Sequence, residues 1–228
     1  MGRSIEAILI DRGHDVVARF GSEGINTDEL QKADVAIEFS LPEAAFENIS
    51  SCFKAKVPIV TGTTGWLDRY DEALDLCEDE KGAMIYASNF SLGVNLFFAL
   101  NSYLAEMMER FPAYRPELQE IHHIHKKDAP SGTAITLAEG ILGKNSAYKK
   151  WQLKEDIQNS KEIPIEAIRE NEVPGTHSIS YKSAIDDIEI KHTAHSREGF
   201  ALGAVIAAEY LKGKTGVYSM RDVLNLPS

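Results

Sequence analysis

The chain is expected to fold as an α/β protein, a Rossmann-like parallel-sheet domain carrying an inserted α+β domain. Three observations carry this. Short apolar runs alternate with amphipathic helical stretches over the first 86 residues, the grammar of a parallel sheet covered on both faces. Near Leu92 the pattern changes to a long helix, a charged run and polar–apolar alternation suited to a sheet with one wet face. At residue 200 the chain returns to an apolar helix, "FALGAVIAAEYLKG", that suits packing back on the first domain. The first domain is therefore expected over 1–91 and 199–228, and the inserted one over 92–198.

Each element has a local reason. "SIEAILIDRG" places Ile5, Ile8 and Leu9 on one helical face, with Gly13 as a C-terminal stop. "HDVVARF" reads as a short β-rich run, "NTDELQKA" as a short helix or turn, and "DVAIEFS" as a second apolar run. After Pro42, Ala45, Ile49 and Phe53 recur every four residues, as on a helix. "VPIVTGT" and "AMIYAS" read as strands on either side of the acidic amphipathic helix "LDRYDEALDLCEDEKG". A helix "AITLAEGIL" follows the charged run, then a polar stretch over 144–162. In "HSISYKSA" and "DIEIKHTA", Ile179 with Tyr181 and Ile188 with Ile190 alternate with polar neighbours, predicting two strands. Gly213 closes the last helix.

Composition excludes several classes. The formal net charge of −11 argues against a general nucleic-acid surface, while leaving room for one local basic site. Cys52 and Cys77 have no zinc-like spacing and make no disulfide framework, as expected of free thiols in a reducing cytosol. The N-terminus lacks the apolar core of a signal peptide. The longest apolar stretch is broken by Asn95, Asn101 and Glu106, and reads as a packed helix, not a membrane span.

In open parallel sheets, ligands bind past the carboxyl ends of the strands. Two such ends, "VTGTTGW" and "YASNFS", pass from apolar residues to small and hydrogen-bonding ones. They are either ordinary turns or a site gripping ribose or phosphate. A dinucleotide-binding sheet normally opens with a strand and a G-x-G-x-x-G turn. This chain opens on the helix that should follow, with Gly2 in the place of the last glycine. A missing first strand predicts that the runs near Val17 and Ile59 each lose a neighbour, leaving buried backbone groups unpaired. Two explanations stand: a coding start set too late, or a shortened relative with impaired cofactor binding.

The run "EIHHIHKKDAPSGTA" packs three histidines and two lysines into six positions. As a continuous strand through Lys127 it would put Leu118, Glu120, His122, Ile124 and Lys126 on one face. Gln119, Ile121, His123, His125 and Lys127 would occupy the other. Pro130 ends the strand, and Ser131, Gly132 and Thr133 begin a helix whose free N–H groups suit a carboxylate or phosphate. Lysines supply opposite charge and histidine moves protons near neutral pH. The run suits an anionic small molecule and proton transfer on it. Competing readings are a zinc site through His123 and His125, a solvated edge strand, and a pH switch.

On these residues the sequence resembles the 4-hydroxy-tetrahydrodipicolinate reductase (dihydrodipicolinate reductase) family over nearly its whole length. "HHIHKKDAPSGTA" follows the family's His-His-x-x-Lys-x-Asp-Ala-Pro-Ser-Gly-Thr signature. "GTTG", "NFSLGVN", "PGTHSISY", "IEIKHTAHSREGFALGAV" and "MRDVL" fall in the family's order. The resemblance implies reduction of a cyclic dicarboxylate by hydride from NADH or NADPH, in lysine and diaminopimelate biosynthesis in the cytoplasm. It implies that 1–91 and 199–228 bind the dinucleotide, and that 92–198 bind substrate and join homotetramers through a sheet. His122 is then the proton donor and acceptor, Lys126 the proton-donating lysine, and His123 a substrate contact. Gly132 and Thr133, with Ser131, hold a substrate carboxylate. Gly62, Thr63 and Thr64 lie beside the nicotinamide ribose, and Ala87, Ser88, Asn89 and Phe90 form the neighbouring strand end. Gly2 belongs to the cofactor turn, and no metal is expected.

The sequence departs from the family twice. The glycine-rich turn is truncated, and Arg19, Phe20 and Gly21 stand where the family has a carboxylate for the adenosine ribose. Arg19 suits a 2′-phosphate, hence NADPH. Rival functions are a non-catalytic anion-binding module, and a reductase of another cyclic imine or keto acid.

Overall fold

The structure, a computed structural model, describes residues 1–196 and 198–226. Arg197, inside the quoted "IEIKHTAHSREGFALGAV", and Pro227 and Ser228, the end of the expected first domain, lie outside the described residues. In chain order the first elements are α1 (Gly2–Asp11), α2 (Thr27–Leu30), β1 (Ala36–Glu38), α3 (Pro42–Lys54), β2 (Ile59–Thr61), α4 (Tyr70–Asp79), β3 (Ala83–Tyr86) and α5 (Leu92–Met108). There follow β4 (Arg115–His122), α6 (Gly132–Leu142), β5 (Lys150–Leu153), β6 (Glu162–Arg169), β7 (Thr176–Lys182), β8 (Asp187–Thr193), α7 (Glu198–Leu211), β9 (Gly216–Tyr218) and α8 (Met220–Val223). The chain forms two compact units, one of residues 1–95 and 198–228, the other of 96–197.

The first unit is built on a parallel sheet of order β1-β2-β3-β9. Its strands are apolar on both faces because both are covered. Ile59 and Met84 pack with Ala45, Ile49 and Phe53 of α3 and Ala73 and Cys77 of α4. Val60 and Ile85, one residue on and so facing the other way, pack with Ile5 of α1 and Ala201, Ala204, Val205 and Ala208 of α7. Pro42 at the first turn of α3 sets its start without loss of a needed donor. Gly13, at φ +81, ends α1 as expected.

The sequence overreached at two places in this unit. No strand forms over 14–20: Val17 is exposed, and Arg19 turns back to pair with Glu6 of α1. β-rich composition makes no strand without a partner ladder. Nor does the Ile59 run lack a neighbour. β2 is laddered to β1 on one side and β3 on the other, and the sheet edge falls at Ala36–Glu38. The short strand β9 was not expected at all.

The second unit holds a mixed sheet of order β5-β6-β4-β7-β8. β4 runs parallel to β6 and antiparallel to β7. One face carries Leu118, Ile163, Ile165, Ile179 and Tyr181 against Phe97 and Leu104 of α5 and Leu137 and Ile141 of α6. The other face is wet, with Lys182 bonded to Glu117 at 2.7 Å and Gln119 to Glu166 at 2.7 Å. The predicted strands β7 and β8 pair with Ile179 opposite Ile190. β5 falls inside the stretch expected to be merely polar, and β6 begins at its end and runs on. Buried Ile163 and Ile165 place β6 beside β4 despite Pro164.

Candidate active site

Register assembles the centre of the second unit. Along β4, Leu118, Glu120 and His122 point to the buried face. Glu120 stands opposite His177 on β7, and His122 opposite Arg169 on β6. Four ionisable side chains from three strands thus meet behind the end of one of them. Glu120 is fully buried; His122 and His177 are nearly so.

The Glu120 carboxylate is the hub. Arg169 Nη2 donates to Oε1 at 3.0 Å, and the backbone N–H of Ser131 donates to both oxygens at 3.1 Å. His122 Nδ1 lies 3.5 Å and His177 Nε2 3.7 Å from Oε2. Burial alone would raise the Glu120 carboxyl, but His177, Ser131 and Arg169 outweigh it and hold it at about 2. Burial drives His122 down to about 4; Glu120 opposes this, while His177, Lys126 and Arg169 add to it. At neutral pH the imidazole of His122 is therefore uncharged in the free site.

Beyond His122 the chain does not continue as a strand, contrary to the sequence expectation. It turns at Ile124–His125, where Ile124 N–H donates to Asn171 O and Lys126 N–H to His123 O. Glu170 N–H in turn binds the carbonyl of His122. Lys126 thus lies one turn past His122, not two pleats along, paired with Asp128 at 2.8 Å, and its charge still acts on His122. His125 pairs with exposed Glu172. His123 keeps a buried Nδ1 without a hydrogen-bond partner.

Ser131 caps α6, its Oγ accepting from Ala134 N–H at 3.2 Å, and it also lies 3.2 Å from His177 Nε2. This hydroxyl is engaged inside the unit. Gly132 is exposed at the helix start, and a Cβ there would meet nothing within 4 Å. The open first turn at Gly132–Thr133 fits a carboxylate. Glu120, Arg169 and His177 received no role from the sequence. A signal existed for Glu120, which shares the strand face of His122. His177 lies in a quoted motif, but nothing local to Arg169 marks it. Among the described residues, Glu120, His122 and His177 are the one group whose ligand-type atoms, all within 4.8 Å of one another, could surround a metal. The Arg169 guanidinium on the same carboxylate competes with any cation there.

In the first unit, the expected cofactor residues other than Gly2 follow the carboxyl ends of β2 and β3, which are adjacent in the sheet. They divide by burial. Thr63 is buried, and its hydroxyl donates to Glu38 Oε1 at 2.8 Å while accepting from Ser40 N–H. Thr61 donates to the other Glu38 oxygen at 2.5 Å. Phe90 is core, edge-on to Phe39 with centroids 5.8 Å apart. Gly62 lies under the Phe39 ring, whose Cε1 would sit 2.1 Å from a Cβ added there. Asn89 is tied locally, its Oδ1 accepting from Ser91 N–H and its carbonyl from Asn95. Thr64 and Ser88 are exposed and Ala87 half-buried. Gly2, at the start of α1, is exposed with open space around it. Exposed hydroxyls on a rigid pair of strand ends, and an open helix start, fit a nicotinamide dinucleotide.

Comparison with known proteins identifies the family. Residues 25–90 match the family model described as "Dihydrodipicolinate reductase, N-terminus", and residues 93–224 the one described as "Dihydrodipicolinate reductase, C-terminus". A 4-hydroxy-tetrahydrodipicolinate reductase of Christiangramia forsetii is 56% identical over 226 residues, covering 99% of this chain and 94% of that one. One from Neisseria meningitidis is 35% identical over 230 residues, covering 97% and 84%. The dipicolinate-bound dihydrodipicolinate reductase from Paenisporosarcina sp. TG-14 shares the fold with a TM-score of 0.69 at 24% identity, over 89% of this chain and 80% of that one. No helix among the described residues is long and apolar enough to cross a membrane. With both family models matched in order and a relative of this identity along almost the entire length, the chain belongs to the dihydrodipicolinate reductase family.

Proposed function

We propose that this chain catalyses the NAD(P)H-dependent reduction of 4-hydroxy-tetrahydrodipicolinate to tetrahydrodipicolinate, in cytoplasmic lysine and diaminopimelate biosynthesis. The observation that carries the reading is the shared carboxylate of Glu120. It lies 3.5 Å from His122 Nδ1 at the end of β4 and accepts from the Ser131 N–H at the start of α6, so one group stands against both a proton-handling imidazole and an open anion-binding helix start.

When bound, the nicotinamide supplies a hydride. The chain's residues do the rest. Gly132 and Thr133 receive a substrate carboxylate on their backbone N–H groups and the Thr133 hydroxyl. Lys126 lends positive charge and donates a proton. His122, neutral in the free site, accepts or returns a proton at Nε2, and a bound dianion beside it raises its basicity. His123 contacts the substrate. Gly2, Gly62, Thr63, Thr64 and the 87–90 strand end hold the cofactor. Within that set, Thr64 and Ser88 serve by direct contact, while Thr63 and Phe90 act through the packing that fixes the loops. Residues 1–91 and 199–228 form the cofactor-binding domain, and 92–198 the substrate-binding and oligomerisation domain.

The wet face of the second sheet supports a homotetramer. Its ion pairs, Lys182 with Glu117 and Lys154 with Glu166, line a shallow polar cleft that another copy can cover. Light scattering behind size exclusion measures the mass. Activity is tested by following NADPH and NADH oxidation with freshly generated substrate. Turnover at a rate far above that with other cyclic imines or keto acids supports the reading. Dinucleotide binding without turnover favours one of those other substrates. Absence of dinucleotide binding by calorimetry favours the anion-binding module. A lower KM for NADPH than for NADH supports Arg19 as a 2′-phosphate partner.

A further inference from the structure

We propose that Glu120 is a positioning residue that locks the tautomer and ring orientation of His122 and, with the same carboxylate, fixes the start of α6. This rests on the proposed role of His122 in proton transfer. The geometry leaves little alternative. His122 Nδ1 is buried, makes no hydrogen bond, and faces the Glu120 carboxylate 3.5 Å away. A proton on Nδ1 facing that oxygen is favoured, and Nε2 then keeps its lone pair. A buried imidazole with the opposite tautomer would set two lone pairs against each other in a medium that screens them poorly.

The carboxylate is held by groups the substrate need not touch. Arg169 compensates its charge and also donates to the carbonyl of Asp128, at 2.5 Å. The same guanidinium therefore ties Glu120 to the loop between Lys126 and Ser131. Ser131 N–H fills the front of the carboxylate, and His177 stands at its side with ring centroid 5.0 Å from that of His122. The charged and titratable groups acting on His122 are thus Glu120, His177, Lys126 and Arg169. Of these, Glu120 is the one whose acceptor oxygen faces Nδ1, at 3.5 Å.

The test is long-range 1H–15N correlation on histidine-labelled protein, with His122 assigned through His122→Asn. Wild type is expected to carry the Nδ1–H tautomer at His122 at neutral pH; an Nε2–H signal overturns the proposal without any variant. In Glu120→Gln one amide oxygen must serve Ser131, Arg169 and His122 together. The expected results are a mixed tautomer and a lower His122 titration midpoint. kcat should fall by about 100-fold or more with a much smaller change in KM, as for loss of an imidazole's orienting acid. Glu120→Asp should recover part of both. An unchanged tautomer, or a loss confined to KM, counts against the role. Titration with Zn2+ alone provides the other exclusion: stoichiometric binding that shifts His122 and His177 together would make the cluster a metal site instead. A correct tautomer in a protein that does not turn the substrate over would remove the reductase reading and leave the positioning intact.

Discussion

Gly175 keeps the Nε2 edge of His122 clear: a Cβ at residue 175 would lie 3.1 Å from Nε2 and 3.3 Å from the adjacent ring carbon. Gly175→Ala would therefore press a methyl group against the one imidazole nitrogen left to exchange protons. Turnover should fall by about 10-fold or more, since misplaced catalytic groups lose rate steeply. The backbone at residue 175, at φ +157, also strains any side chain, so the thermal midpoint should fall as well, and kcat is compared below that midpoint. Unchanged kcat in Gly175→Ala would show that Nε2 is not the working atom.

Lys126 should matter to rate and hardly to folding. Its side chain pairs with an Asp128 that is 58% exposed, and such pairs contribute about 0–1 kcal/mol. Lys126→Ala is expected to lower kcat by about 100-fold or more while leaving the urea midpoint almost in place. Turnover at the wild-type rate would reject its proton-donating role.

Acid should destabilise the fold through His122. Between its unfolded value of 6.5 and its folded value of about 4, the unfolded chain binds a proton that the folded chain refuses. Stability then falls as pH drops through that window, by up to about 3 kcal/mol. Glu120, held at about 2, adds stability that is present above 4.5 and lost as pH falls further. Urea denaturation between pH 7.5 and 4 should give a flatter dependence for His122→Asn than for wild type. Parallel curves would exclude the imidazole as the source.

Gly62→Ala should destabilise the first unit by about 1–3 kcal/mol, because the new methyl overlaps the Phe39 ring. Chemical denaturation monitored by circular dichroism measures the loss, and weaker NAD(P)H binding should accompany it. Wild-type stability would mean that the ring yields freely.

Much of this molecule was legible because its signals are local. α3 showed itself by Ala45, Ile49 and Phe53, and all three are fully buried. The Leu118–Glu120–His122 face was visible from alternation alone. What failed depended on distant partners. The 14–20 run has β-type residues and no ladder to join, so it stays exposed. β6 carries Pro164 and ambiguous alternation, and is a strand because β4 and β5 flank it. Arg169 reaches Glu120 across 49 residues of sequence. Lys126 was placed on a strand because the sequence could not show that Asn171 captures Ile124 N–H and bends the chain first.

The two glycines around the Phe39–Phe90 pair face unlike obstacles. At Gly62 the neighbour is the Phe39 side chain; at Gly203 it is the main-chain carbonyl of Phe90, whose oxygen would sit 1.7 Å from an added Cβ. A side chain can be exchanged and a peptide carbonyl cannot. Under mutational drift, residue 62 can thus acquire bulk once a smaller partner arises at 39, whereas residue 203 stays closed to every larger substituent for as long as this helix rests on that strand end.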